Sequence, residues 1–480
     1  MYQKIQEQQQ NYLAKFIQHY NQHTKTSKQI SQKIRPVLAD NKASLLFSIP
    51  FKEISYPIVG KRSLGSKIWD IDGNEYVDTI MGYGVNLFGH NPPFIKQAIA
   101  EQLEQGIHLG TQSEVAGEVA QLICELTQME RVTFSNTGTE AVMTAIRIAR
   151  AATNRNKIAL FSDSYHGHFD GTLVEAETVN GSLRTVPMAP GVPLNLVQDI
   201  LVLDYGNPRS LDIIEDHKQQ LAAVLVEPVQ TSNLQLQPQE FLQQLRQLTK
   251  EAGIALIFDE MVSGFRIHPG GAQAWFGVEA DLATYGKIVG GGMPIGVIAG
   301  KAAYMDRIDG GMWNYGDASY PQVNKTFFAG TYCKHPLAMA AARAVLKHIK
   351  SNGPSVQQQL NQLTSQFVDA LNAYFEKEEL PLQTICFGSL FSFAISENSA
   401  LWEDYALPNN MKFAFYYNML DKGILLRGDG GFLSTAHTDE DIDRIIQAVK
   451  DTITELRKGG FLPSLSSSNS LKTSAAVVSG

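Results

Sequence analysis

The chain has 480 residues, 40 of them basic and 48 acidic, for a formal net charge of −8, with 44% hydrophobic and 18% charged side chains. That balance describes a globular protein able to bury a large core, and it argues against nucleic acid or an anionic membrane as main partner, since both demand a basic face. Three cysteines (Cys124, Cys333, Cys386) without a CxxC pair exclude a disulfide framework, no apolar run of about 18 residues occurs, and the polar start lacks the core of a signal peptide. The expected compartment is a reducing cytoplasm.

Residues 1–34 read as a helical arm or linker. Tyr12, Leu13, Phe16, Ile17 and Tyr20 recur at helical spacing and predict a modest amphipathic helix, either packed on its own chain or docked on a partner. Residues 35–95 form the first part of a small domain, with a hairpin over 66–77 turning at Asp72-Gly73. Residues 96–345 make a large α/β domain. Its short apolar runs at 157–161, 221–226 and 254–258 each end in a polar loop, which predicts buried parallel strands with crossover helices. Ligands of such sheets bind beyond the carboxyl ends of the strands, so Ser164–Gly167, Glu227–Asn233 and Asp259–Gly264 are the segments to inspect. Residues 346–460 return to the small domain with a Gln-rich helix (356–376), strands near 384–394, a Gly-rich turn (427–431) and a closing helix (439–458). Residues 461–480 are Ser-rich and aperiodic, the pattern of a flexible tail.

Four local patterns carry chemistry. In Arg131–Ala141 a short strand runs into Asn136-Thr137-Gly138-Thr139 and then a helix, with Thr137 and Glu140 at capping-box spacing. Such a helix start suits a phosphate, though a plain capped helix has the same pattern, and no P-loop signature is present. Asp259 at an apolar strand end calls for a cationic partner, either a protonated ring nitrogen or an Arg or Lys. Lys287, ahead of Gly290-Gly291-Gly292, is a candidate Schiff-base former or a solvated lysine. Thr331 follows a glycine and precedes a helix start, so it too is a phosphate candidate. His166 and His168 lack a further ligand at metal spacing, and no metal site is expected. A phosphate cradle, a strand-end Asp and a Lys among glycines together match the phosphate, ring nitrogen and aldehyde of pyridoxal phosphate.

The segments SNTGTEA, SYHG, VEPVQ, IFDEMVSGFR and GKIVGGGMPIG resemble the class III aminotransferases of the fold type I pyridoxal-phosphate family, in the branch of glutamate-1-semialdehyde aminomutase. RPVLAD, YPIVG, GYGVNLFGHNPPFIK and FLSTAHTDEDI are similar to the aminotransferase domains of polyketide and nonribosomal peptide synthases. The resemblance implies a large domain with a mostly parallel seven-stranded sheet and a small α+β domain built from both chain ends. It implies that Lys287 binds the cofactor covalently and then moves the proton, and that Asp259 pairs with the ring nitrogen. Thr137, Gly138 and Thr139 would hold the phosphate, Tyr165 would stack on the ring, Met261 would cover its other face, and His166 and Glu227 would support it. Thr331 would reach the neighbouring subunit's site in a homodimer.

The implied reaction moves an amino group from a donor, glutamate or glutamine, to a β-ketoacyl chain on an acyl carrier protein. The alternative is an aminomutase or free-standing aminotransferase acting on a small keto acid or aldehyde. Two departures bear on substrate. Thr231-Ser232-Asn233 stands where the synthase branch usually has Ser-Arg and a Pro, and Leu426-Arg427-Gly428-Asp429 where it has Trp-Glu-Gly-Arg. Asn233 and Arg427 from these segments, together with Tyr83, are the candidate substrate residues, with Arg427 a candidate for a donor carboxylate.

Overall fold

Seven short strands, most of them rich in Ala, Val, Leu and Ile, form one central sheet in a computed structural model that describes residues 2–41, 47–108, 110–179, 182–395 and 408–462. Their spatial order is Arg131–Ser135, Gly296–Gly300, Leu282–Tyr285, Ala255–Asp259, Leu221–Val226, Lys157–Phe161 and Ile200–Leu203. Gly296–Gly300 runs antiparallel to both neighbours, and the other ladders are parallel. Leu221–Val226 and Ala255–Asp259 are buried along their whole length, which is why they read as unbroken apolar runs rather than alternating ones. The strand expected over 254–258 starts one residue later and takes in Asp259 as its last residue. That register places Asp259 opposite Thr284 of the adjacent strand.

The small domain is built from both ends of the chain. The hairpin Lys67–Asp70 with Glu75–Asp78 forms as expected, with Gly73 at φ +94°, and gains a third strand, Gly60–Leu64. Ile424–Leu425 pairs in parallel with Val77–Asp78, so a C-terminal segment completes an N-terminal sheet. Leu382–Phe387, Leu390–Ile395 and Gly430–Phe432 make a second sheet, which shortens the expected Gly-rich turn to 427–429. Helices Ser355–Lys377 and Asp439–Lys458 match the Gln-rich and closing helices.

The N-terminal arm differs in one respect. It is two helices, Tyr2–His23 and Lys25–Ile34, with the break at Thr24. The cause is Asp72 in the hairpin turn, which accepts from the amides of Thr26 (2.6 Å) and Ser27 (2.9 Å) and so supplies an N-cap from outside the helix. Thr24 Oγ1 donates to Tyr20 O (2.8 Å), a back-bond that bends helices. The arm packs on its own chain: Leu13, Phe16 and Tyr20 are buried, and Tyr12 OH donates to Asn418 Oδ1 (2.7 Å). Phe461 and Leu462, assigned to the tail by composition, are buried at 3% and 1% exposure; the rest of that tail, 463–480, lies outside the described residues. Among the described residues no helix is long and apolar enough to cross a membrane.

Candidate active site

The strand Arg131–Ser135 leads into the helix Gly138–Thr153 through Asn136 and Thr137. Thr137 Oγ1 accepts from Glu140 N (3.1 Å), as the spacing predicts, but the Glu140 carboxylate reaches past Thr137 to Asn136 N (2.7 Å). The first intrahelical bond runs from Ala141 N to Thr137 O, so the amides of Gly138 and Thr139 precede the ladder at the positive end of a long helix. Close approach is built in. A Cβ on Gly138 would meet Met261 Sδ at 2.8 Å, and one on Gly296 would meet Thr137 O at 2.2 Å. Gly167, at φ +80°, passes so near Thr139 that a Cβ would collide with its hydroxyl.

Asp259 and His166 are both buried, with His166 Nδ1 2.8 Å from Asp259 Oδ2. The other carboxylate oxygen accepts from Thr284 Oγ1 (3.1 Å) and from Met261 N (3.2 Å). Glu227 lies next to this pair and accepts from Thr231 N and Tyr165 N. Burial pushes its pKa up to about 7; His166 opposes that rise and Asp259 adds to it. The site thus concentrates acid groups around one imidazole, a setting that favours a cationic guest.

Lys287 begins a single 3-10 turn directly after the strand Leu282–Tyr285. Its φ of +39° is in the left-handed region, an arrangement that persists in a side-chain-bearing residue only where the surroundings enforce it. Burial depresses its pKa below the ordinary lysine value; Asp259 and Glu227 pull it back up, while Arg266 and Arg427 lower it further. The neutral amine is the form that attacks a carbonyl, and burial favours it.

These groups line one cavity of about 520 Å³, together with Tyr83, Gly138, Thr139, Tyr165, Met261 and Arg427. Tyr83, at φ +58°, and Arg427 also line a second chamber of about 480 Å³ walled by Ile58, Ile80, Tyr416, Leu420 and Leu425. Arg427 extends toward Thr231 O (3.4 Å) and Asp429 Oδ1 (3.5 Å). Thr137 does not line the cavity, because its hydroxyl caps the helix. Asn233 is exposed, its backbone amide donates to Gln230 O (3.1 Å), and it is Thr231, whose amide donates to Glu227 Oε1, that lines the cavity instead. Thr331 is exposed on the surface and does not reach this chain's own cavity.

The sequence reading missed Thr284, Ile295 and Phe432, and in the segment Thr231–Asn233 it picked Asn233 where the cavity takes Thr231. Thr284 had a signal only in strand register. It also missed Arg266, the last residue of the IFDEMVSGFR segment. Arg266 is fully buried, donates to Val262 O (2.9 Å), Ser389 Oγ (3.0 Å) and Gly84 O, and ties the loop after Asp259 to the small domain. Burial lowers its pKa to about 9.

The donor set fits pyridoxal phosphate on its chemistry: a buried anion held by an imidazole, an amine depressed by burial, and free amides beside glycines that leave no room for a Cβ. Residues 50–453 match the family model of class-III aminotransferases, and the chain belongs to that family. It is a pyridoxal-phosphate-dependent transaminase of fold type I. It is 37% identical over 410 residues to glutamate-1-semialdehyde 2,1-aminomutase of Alkaliphilus oremlandii, covering 83% of this chain and 91% of that one. Among solved structures it is similar to an omega-transaminase from Sphaerobacter thermophilus (TM-score 0.80, 29% identity, 90% of this chain and 98% of that one). It is also similar to a β-phenylalanine aminotransferase from Variovorax paradoxus (TM-score 0.78, 29% identity, 94% and 99%).

Proposed function

We propose that this aminotransferase moves an amino group on or between small carboxylate-bearing molecules, with an amino aldehyde or keto acid as substrate. The observation that carries the reading is Arg427 in the wall of the cavity that contains Lys287, where a guanidinium can grip a carboxylate with two parallel bonds. The likeness to a glutamate-1-semialdehyde aminomutase supports the same class of substrate.

In this reading the bound cofactor supplies an aldehyde that takes up the amino group and a ring that withdraws electrons. Lys287 Nζ would hold the cofactor by its aldehyde and would serve as the general base and acid that moves a proton in the cavity. Asp259, held by His166 and Thr284, would favour a positive charge on the ring nitrogen. The amides of Gly138 and Thr139 would hold the phosphate, Tyr165 and Met261 would contact the ring, and Glu227 would support the Asp259 side. The exposed segment with Phe327, Thr331 and Tyr332 fits a homodimer in which Thr331 serves the neighbouring cavity.

A second reading keeps a β-ketoacyl thioester on a carrier protein as amino acceptor. The apolar chamber beyond Tyr83 and Arg427 favours it, since a longer acyl chain has space there. One experiment separates the two. Cofactor-loaded enzyme is given glutamate-1-semialdehyde, a set of free keto acids with glutamate or glutamine, or a carrier protein loaded with a β-ketoacyl chain. Turnover of a free acid or aldehyde supports the first reading. Amination of the carrier-bound chain alone, seen as a mass shift from C=O to CH–NH2, overturns it in favour of the second.

A further inference from the structure

We propose that His19, His23 and Asp421 bind one divalent transition-metal ion of the zinc class, outside the cofactor cavity, and that this ion clasps the N-terminal helix to the small domain. His19 and His23 stand four apart on the helix Tyr2–His23 and therefore share a face, with ring centroids 5.8 Å apart. That face meets the last residue of the helix Pro408–Asp421. His19 Nε2 is 3.3 Å and His23 Nδ1 3.6 Å from the same atom, Asp421 Oδ1, and the three donor atoms lie within 4.8 Å of one another. Ligands bonded at the usual zinc distances around a tetrahedral ion sit roughly 3.3–3.6 Å apart. The remaining edge, between the two rings, closes by rotation, because both imidazoles are exposed.

A second observation points the same way. Asp421 Oδ1 is buried from water yet accepts no aligned hydrogen bond, a condition with a free-energy cost for an anionic oxygen. A neutral imidazole can donate an N–H to this oxygen, but neither ring is oriented to do so. A single dication between neutral rings satisfies all three atoms. Two imidazoles and one carboxylate suit zinc, copper or nickel better than magnesium or calcium, which take oxygen ligands. Both imidazoles are exposed, which leaves an entry path for an ion from solvent.

The clasp has a place in the architecture. Gln8, Gln9 and Tyr12 already tie the first half of this helix to Lys458, Gly460 and Asn418. The ion pins its other end, just before the break at Thr24. Asp421 stands six residues ahead of Arg427, on the segment that feeds the wall of the cavity.

The test uses the tag-free, cofactor-loaded full chain after treatment with a chelator. Titration calorimetry with zinc chloride is expected to show one ion per chain. Cobalt(II) is expected to give the visible absorption of a tetrahedral site, and magnesium no heat. The unfolding temperature rises with zinc concentration, as binding to the folded state requires. Loss of even an outer-sphere partner weakens metal sites by about tenfold or more, so His19→Ala or His23→Ala weakens binding at least that much. The double variant abolishes it, while the cofactor absorbance of every variant shows that the fold persists. No stoichiometric binding to the parent chain, or unchanged binding to the double variant, overturns the proposal.

Discussion

His166 Nδ1 lies 2.8 Å from Asp259 Oδ2, and neither side chain has appreciable contact with solvent. The pair explains why a carboxylate can occupy the end of a fully buried strand: the imidazole and the Thr284 hydroxyl take up its lone pairs and fix its direction. Replacing His166 by Phe removes one charge-assisted bond and leaves a buried oxygen short of a partner. Such losses amount to about 1.5–3 kcal/mol. Cofactor affinity, measured by titrating the cofactor-free protein, is expected to fall roughly tenfold or more, with partial rescue by His166→Asn. Asp259→Asn removes the anion itself and is expected to lower kcat on the order of 10²–10³-fold at saturating cofactor. Equal cofactor affinity in His166→Phe and the parent would show that the pair has no positioning role.

Arg427 gives a prediction about substrate. Arg427→Ala is expected to raise the KM of a carboxylate substrate about tenfold to a hundredfold, with a smaller effect on kcat and none on cofactor absorbance. Arg427→Lys keeps the charge but loses the planar fork, so it recovers only part of the binding. Steady-state kinetics with donor and acceptor varied separately checks this, and an unchanged KM for both rejects the assignment.

Two glycine replacements should part company. Gly296→Ala drives a methyl to 2.2 Å from Thr137 O, a backbone atom just ahead of the helix Gly138–Thr153 that has nowhere to move. It is expected to lower stability by about 1–3 kcal/mol and to weaken cofactor retention. Gly117→Ala, on the helix Glu114–Thr127 with nothing within 4 Å of the new carbon, is expected to raise stability by up to about 1 kcal/mol. Thermal unfolding of the two variants beside the parent decides the matter.

Glu260 predicts a pH dependence. It is fully buried and accepts from Ala272 N and Gln273 N, and burial pushes its pKa from 4.5 to about 7 against those bonds. The folded chain therefore holds this proton more tightly than the unfolded chain does. Its contribution to stability is full below about 4.5 and is lost as pH rises to about 7. At 1.36 kcal/mol per unit the loss is at most about 3 kcal/mol. The cofactor-free protein is expected to lose melting temperature across that interval, and Glu260→Gln to flatten the slope. Parallel slopes in the two proteins contradict the expectation.

Much of the candidate site's lining was legible because several of its residues left a short local mark. Lys287 stands among glycines that keep side chains away, Asp259 closes an apolar run, and Thr137-x-x-Glu140 announces a capped helix. What stayed hidden depends on residues far apart in the chain. Thr284 meets Asp259 only through strand register. The helix break at Thr24 is imposed by Asp72, in a hairpin turn some 45 residues on. Phe461 and Leu462 look like the start of a Ser-rich tail, yet they are buried under the N-terminal arm's side of the small domain. Asn233 sits two residues past Thr231, and where a loop turns from a cavity to solvent is a matter of backbone path rather than residue type.

The most direct test of the account is to fix the cofactor in place and find where it is attached. Cofactor-replete protein is reduced with borohydride, digested, and its peptides are mapped by mass spectrometry. The account predicts one modified residue, Lys287, and no trapped cofactor in Lys287→Ala. A label on any other lysine, or none in fully replete protein, contradicts it.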